Sequence, residues 1–74
     1  MSRYFFNIRD GQDVIADIAG SNFANDALAR LEAIDRAQMI AEMGRFEEPS
    51  QQVEVYNAEG MRVARVRIAD QLHS

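Results

Sequence analysis

The first residues of the chain alternate between two faces, as the side chains of a β-strand do. Over residues 3–9 the aromatic side chains of Tyr4 and Phe6 share one face, and polar residues recur on the other. The run ends in Asp10-Gly11, a dipeptide typical of a two-residue hairpin turn. The pattern therefore predicts a β-hairpin formed by residues 3–9 and 13–18.

A second alternating run begins after the only proline, Pro49. Residues 52–57 and 61–68 predict two more strands, and the residues between them end in Gly60, which suits the left-handed position of a hairpin turn. The alternation slips by one residue near Val63-Ala64, which indicates a β-bulge. We expect a second hairpin here.

Between the hairpins lies one segment with the spacing of an amphipathic helix. Asn22 can cap its start and Gly44 can terminate it, which predicts a helix over residues 23–43. The stripe expected to face the core comprises Ala24, Ala27, Leu28, Leu31, Ile34 and Ala41. The element order predicts a single α+β domain over residues 1–74. It would be a β-hairpin–helix–β-hairpin (ββαββ) fold with one antiparallel or mixed four-stranded sheet and the helix on one face.

Composition limits what such a domain can do. With 47% hydrophobic and 27% charged residues, the 74-residue chain resembles an ordinary globular domain. A net charge of −4 gives no general attraction to nucleic acids or anionic membranes, and the lack of cysteine excludes disulfides. Its apolar runs are far shorter than the roughly 20 residues that span a bilayer, and no targeting segment is evident. We therefore expect a cytoplasmic protein.

The residues that usually carry chemistry do not combine into a site. His73 is the only histidine and lies next to the last residue, so a Ser-His-Asp arrangement is not expected. The acidic residues lack the glycine and glutamate spacing of a calcium loop. The sequence thus predicts no catalytic residue, no cofactor, no metal site and no enzymatic activity.

The arginines give the strongest indication of a ligand. The last and first predicted strands carry five of them: Arg62, Arg65, Arg67, Arg3 and Arg9. If these strands are neighbours, the arginines share a sheet face with Phe5 and Tyr56, a mixture typical of surfaces that bind single-stranded RNA or DNA. The simpler interpretation is a half-solvated strand face whose arginines pair with nearby acids, and the acidic net charge favours it. Nucleic-acid-binding or antitoxin-like regulation is therefore the alternative function.

A single helix is too narrow to cover the predicted sheet. Four strands span about 14–19 Å, whereas a helix with its side chains is about 10–12 Å wide. The side chains expected to remain exposed form a candidate interface: Phe5, Val14, Tyr56, Met39, Ile40 and Met43, with either Val63 or Val66. Soluble monomers rarely expose so large an apolar area. The leading prediction is therefore a non-enzymatic protein-interaction module that acts as a homodimer, expected to be twofold, or docks onto an unidentified protein partner.

Several of these features recur in order in a known family. They are the opening Arg3-Tyr4-Phe5-Phe6 with Arg9-Asp10-Gly11, the Asp17-x-x-Gly20 exit, the alanine-rich helix, and Val53-x-Val55-x-Asn57-x-x-Gly60 followed by Val66-x-Ile68-x-Asp70. Together they resemble a family of short bacterial proteins known only as a domain of unknown function. The resemblance covers nearly the whole chain. It implies a fold and a bacterial setting, and it implies no activity.

Overall fold

Five antiparallel strands and one helix are formed by residues 1–42 and 51–69. A computed structural model describes residues 1–42 and 51–69. The elements in chain order are β1 (Ser2–Asp10), β2 (Asp13–Ile15), β3 (Ser21–Phe23), α1 (Asp26–Glu42), β4 (Gln52–Tyr56) and β5 (Arg62–Arg67). The sheet order is β2-β1-β4-β5, and β3 also pairs with β1. The predicted α+β class, with one helix on one face of an antiparallel sheet, is confirmed.

The helix starts later than the sequence pattern predicts. Phe23 belongs to the additional strand β3, where its ring contacts Tyr4 and Phe6 at centroid distances of 6.3 and 5.7 Å. Burial against these rings keeps this segment extended. The helix cap is Asn25 rather than Asn22, because the Asn25 side-chain oxygen accepts a hydrogen bond from the Leu28 N–H at 2.9 Å. The predicted end at Met43 and the terminator Gly44 lie outside the described residues.

The first hairpin has a tight turn, but its register differs from the expected one. Asp10 pairs with Asp13, so the two turn residues are Gly11 and Gln12 rather than Asp10 and Gly11. Gly11 has φ 63°, the left-handed conformation that such turns require at their first central position. Moving the turn by one residue changes the β1 partner of each β2 residue by two positions, so the side chains of β2 stay on the expected faces of the sheet.

Strands β2 and β3 lie one after the other along the same edge of β1, and Asp17 fills the gap between them. The Phe6 N–H, which faces this gap, donates a hydrogen bond to Asp17 Oδ2 at 3.1 Å. Asp17 Oδ1 accepts from the Gly20 N–H at 3.1 Å, and the Asp17 N–H donates to Asn7 Oδ1 at 2.9 Å. Side-chain groups thus replace the missing ladder, and β2 ends at Ile15 instead of continuing to residue 18.

The second hairpin follows the prediction more closely. The Asn57 side-chain oxygen accepts hydrogen bonds from the N–H groups of Glu59 and Met61, and Gly60 has φ 82°. Val55 pairs with Ala64 and Tyr56 with Arg62, so Val63 is the extra residue of a β-bulge. The predicted bulge is confirmed.

Alanines form the buried face of the helix. Ala29, Ala33 and Ala37 are fully buried, whereas Leu28 and Leu31 are 45% and 59% exposed. The expectation that these leucines face the core is therefore wrong, although Ile34 and Ala41 do pack against it. The reason is steric, because methyl side chains let the helix approach a sheet face that already carries large residues. Those residues are Tyr4, Phe6, Val53, Val55, Val66 and Ile68, and Val66 is therefore not on an uncovered face.

The helix lies over β4 and β5 and leaves the tip of the β1–β2 hairpin uncovered. The helix also contacts β1: the Tyr4 hydroxyl donates to Asp26 Oδ1 at 2.6 Å, and the Arg36 guanidinium lies 4.1 Å from the centre of the Phe6 ring. Beyond these contacts Ile15 remains 68% exposed. One helix is thus too narrow to cover the β1–β2 hairpin at this edge of the sheet.

Gly20 offers a test of the close packing at the β1 edge. A Cβ there would lie 2.9 Å from Arg3 Cγ and Phe5 Cε1, whereas a Cβ at Gly60 would meet nothing within 4 Å. Both glycines have a positive φ, so alanine at either position costs about 1–2 kcal/mol of backbone strain. We expect Gly20→Ala to lower the free energy of unfolding by about a further 1–3 kcal/mol through overpacking. Urea unfolding followed by circular dichroism measures this difference, and equal losses in the two variants would contradict it.

Candidate functional site

The sheet face turned away from α1 carries five of the seven arginines in the described residues. We call it the arginine face. By strand alternation and pairing it comprises Arg3, Phe5, Asn7, Arg9, Val14, Gln52, Glu54, Tyr56, Arg62, Arg65 and Arg67. Strand β4 lies at its centre, between β1 and β5.

A buried carboxylate, that of Glu54, lies in the middle of this face. Glu54 is 1% exposed although no helix or strand within residues 1–42 and 51–69 covers this side of the sheet. Its Oε2 accepts hydrogen bonds from Arg9 Nε at 3.1 Å, Arg62 Nη1 at 3.3 Å and Gln52 Nε2 at 2.7 Å. Its Oε1 accepts from the Tyr56 hydroxyl at 3.1 Å. We call these five residues the Glu54 network.

The network holds Glu54 in its ionised form. Desolvation by burial would raise the pKa of the Glu54 carboxyl, but hydrogen bonds from Arg9, Tyr56 and Gln52 outweigh it and hold the pKa below 4.5. A carboxylate with four hydrogen-bond donors is a poor proton acceptor at neutral pH. Its position suits an anchor that fixes the side chains of Arg9 and Arg62.

Three arginines of this face remain outside the network. Arg3, Arg65 and Arg67 are exposed, and none of them forms a salt bridge within residues 1–42 and 51–69. Arg65 pairs with Glu54 in the β4–β5 ladder, but Arg9 and Arg62 provide the salt bridges to that carboxylate. The face therefore combines anchored cations with solvated ones.

The structure brings the five predicted arginines onto one face, but by a different arrangement of strands. Strands β1 and β5 are not neighbours, because β4 separates them. Both strands pair with β4 in registers that keep their odd-numbered arginines on one side of the sheet, and the bulge at Val63 puts Arg62, which precedes it, on that side as well. The two side chains that reach Glu54 are partly exposed, Arg9 at 39% and Arg62 at 48%.

The residues of the predicted apolar interface do not lie together. Phe5, Val14 and Tyr56 are on the arginine face, whereas Met39 and Ile40 are on the helix at the opposite side of the sheet. Met43 lies outside the described residues. These residues therefore do not form one contiguous apolar surface on the subunit.

On the helix side, an apolar groove of about 230 Å³ runs between α1 and the first hairpin. Ile8, Arg36, Met39 and Ile40 line it, and Ile15 is paired with Ile8 on the neighbouring strand. We call Ile8, Ile15, Met39 and Ile40 the margin surface. Met39 is 55% exposed. Sequence reasoning missed the part contributed by Ile8 and Ile15, although the shared face of these two branched residues follows from hairpin alternation.

No group of three or more histidine, cysteine, aspartate or glutamate side chains in residues 1–42 and 51–69 is placed to hold a metal ion. Within this part of the chain, no helix combines the length and apolar character needed to cross a bilayer.

The fold and both surfaces define a small α+β domain with a buried carboxylate at the centre of an arginine-rich sheet face. The chain matches the family described as a domain of unknown function (DUF6894) over residues 3–69, and it belongs to that family. The comparisons with curated proteins and with solved structures found no match. The predicted membership in a domain-of-unknown-function family is confirmed, and the bacterial setting stays a prediction.

The Glu54 network predicts a specific loss of stability in acid. Because the folded pKa of Glu54 is lowered, its contribution is present above the unfolded value of 4.5 and is lost as the pH falls through the folded pKa. Glu54→Gln removes the negative charge that pairs with Arg9 and Arg62. We expect this substitution to lower the free energy of unfolding by about 1–3 kcal/mol at neutral pH. The variant should then lose less stability than the wild type on acidification.

Urea unfolding at about pH 7 and about pH 3 measures both effects. Exposed Glu59, at the second hairpin turn, supplies the control Glu59→Gln. Asp17 retains its own acid dependence in every variant: burial raises the pKa of its carboxyl, but the N–H groups of Gly20 and Phe6 outweigh this and lower it. An acid-induced loss in Glu54→Gln as large as in the wild type would contradict the prediction.

Proposed function

We propose that this chain is a non-enzymatic protein-interaction module that acts as a homodimer through the margin surface. The observation that carries the proposal is the cluster of apolar side chains left exposed where the helix ends its cover of the sheet. Ile15 is 68% and Met39 55% exposed, and both lie beside the groove lined by Ile8 and Ile40. Apolar surface of this kind, placed next to a concave site, is typical of protein–protein contacts.

The shape of the margin surface favours a second copy as the occupant. The groove and the projecting Ile15 side chain are neighbours on one subunit. A twofold axis beside them would insert Ile15 of each copy into the groove of the other, which is the self-complementary arrangement of an isologous dimer. The groove volume of about 230 Å³ accommodates an aliphatic side chain.

The arginine face is less suited to pairing with a second copy of itself. Among the described residues of that face, five arginines stand against one carboxylate, that of Glu54. A face-to-face twofold contact would bring the arginines of the two copies together, and like charges in close contact weaken association. The candidate residues Phe5, Val14 and Tyr56 are therefore not part of the proposed dimer contact.

The non-enzymatic part of the proposal is supported by the state of Glu54. It is the buried acid among the described residues, and burial is the usual way in which a protein tunes a carboxyl group for proton transfer. Here the neighbours lower its pKa and occupy its oxygens. We place the module in the cytoplasm of a bacterial cell, following the composition and the family resemblance.

The dimer should be concentration-dependent, because the margin surface is small. Burying a few hundred Å² of apolar area at about 25 cal/mol/Å² contributes several kcal/mol, from which the entropy cost of association must be subtracted. Measurements are therefore needed over a range of protein concentrations.

Ile15→Asp tests the proposed contact. We expect light scattering behind a sizing column to give twice the 8.4 kDa chain mass for the wild type at high concentration, and the single-chain mass for the variant. Met61→Asp is the matched control, since Met61 is 65% exposed and lies at the second hairpin turn, away from the margin surface. A wild type of 8.4 kDa at every concentration, or equal effects of the two substitutions, would rule out this dimer.

A further inference from the structure

The two central strands of the sheet each place one aromatic residue on the arginine face. Phe5 and Tyr56 are direct partners in the β1–β4 ladder, and β1 and β4 are the two central strands of the order β2-β1-β4-β5. Side chains of directly paired residues are about 4.5–5.5 Å apart at Cβ. Both residues are half-buried, so part of each side chain faces solvent. Two accessible rings on adjacent central strands offer a platform for planar groups.

Contacts with neighbouring residues constrain both rings. Phe5 Cε1 lies so close to Gly20 that a Cβ on the glycine would be 2.9 Å away. The Tyr56 hydroxyl is tied to Glu54 Oε1 at 3.1 Å. Because these contacts exist before any ligand arrives, little side-chain entropy remains to be lost on binding.

Cations flank the rings on two sides. Arg62 pairs with Tyr56, and Arg65 and Arg67 follow along β5 on the same face, about 6.6 Å apart. Arg3 lies on the other side, two residues before Phe5 on β1. A linear polyanion lying across the rings would meet guanidinium groups of both β5 and β1.

The acidic net charge of the chain does not oppose this, because the charges are segregated. The helix carries Asp26, Glu32, Asp35 and Glu42 on the other side of the sheet. On the arginine face the acid in the described residues is Glu54, which is buried and already paired with two arginines. Fields within a Debye length depend on the local charges, so the face attracts anions although the whole chain is negative.

We propose that the arginine face binds single-stranded nucleic acid, with Phe5 and Tyr56 stacking against bases and the exposed arginines contacting phosphates. Single strands combine repeated negative charge with unpaired planar bases, and the face provides partners for both. An acidic peptide would satisfy the arginines but not the rings, and a duplex would keep its base faces hidden. The proposal does not depend on the margin surface, which lies on the other side of the sheet.

Fluorescence anisotropy with labelled oligo(dT) and oligo(U) of about 15 nucleotides tests the proposal. We expect the wild type to bind at about 50 mM salt and to weaken as salt is raised. The double variant Arg65→Gln/Arg67→Gln should lower the log–log salt slope by about 1–1.5, as expected for two lost phosphate contacts. Arg30→Gln on the helix is the control for a charge change, and it should bind as the wild type does.

Phe5→Leu separates stacking from charge. It keeps an apolar side chain against Gly20 while removing the ring, and we expect affinity to fall about fivefold or more with the salt slope unchanged. Thermal unfolding of each variant by circular dichroism confirms that the fold is intact. Because Arg65 and Arg67 are exposed and outside the Glu54 network, their variants remain informative if Phe5→Leu unfolds.

Several results would overturn the proposal. The first is no anisotropy change at low salt with about 100 μM protein, well within the range of even non-specific binding. The second is an equal loss of binding in the arginine-face and Arg30 variants. The third is tighter binding of poly-glutamate or of duplex DNA than of the single strands, which would assign the face to an acidic protein or to double-stranded nucleic acid instead.

Discussion

The close approach of α1 to the sheet is the contact on which the rest of the structure depends. Ala29, Ala33 and Ala37 present only methyl groups, so the large side chains of the sheet fill the space between the two layers. This arrangement centres the helix on β4 and β5. One helix of ordinary width then has no surface left for the β1–β2 hairpin or for the far side of the sheet. The margin surface and the arginine face are both exposed because one helix covers only part of the sheet.

The two uncovered surfaces are chemically different. On the far face the sheet buries Glu54 beneath its own polar neighbours, and charge-assisted hydrogen bonds from Arg9 and Arg62 offset the cost of desolvating the carboxylate. At the hairpin margin no such network exists among the described side chains, and Ile15 and Met39 stay apolar and exposed. One side is therefore suited to charged ligands and the other to an apolar partner.

Features set by neighbouring residues could be predicted from the sequence, and features set by strand order could not. The turn at Gly60 and the bulge at Val63 depend on local backbone geometry, and both follow from the sequence pattern. Strand β3 depends on Phe23 contacting rings nearly 20 residues away in the chain. The sequence pattern predicts the wrong helix face because hydrophobicity favours Leu28 over alanine, whereas the distance between helix and sheet decides which side chain fits.

The candidate site shows the same division. Alternation alone places the arginines of one strand on one face, but only the insertion of β4 between β1 and β5 puts Glu54 within reach of both. That carboxylate reduces the positive charge of the face and at the same time fixes the positions of Arg9 and Arg62. A ligand site gains more from such ordering than from one additional unit of charge, because exposed cations are screened by salt while anchored ones keep their geometry. The acid at the centre of a basic face is thus consistent with anion binding, since it is already paired with Arg9 and Arg62 and leaves Arg3, Arg65 and Arg67 exposed on the same face.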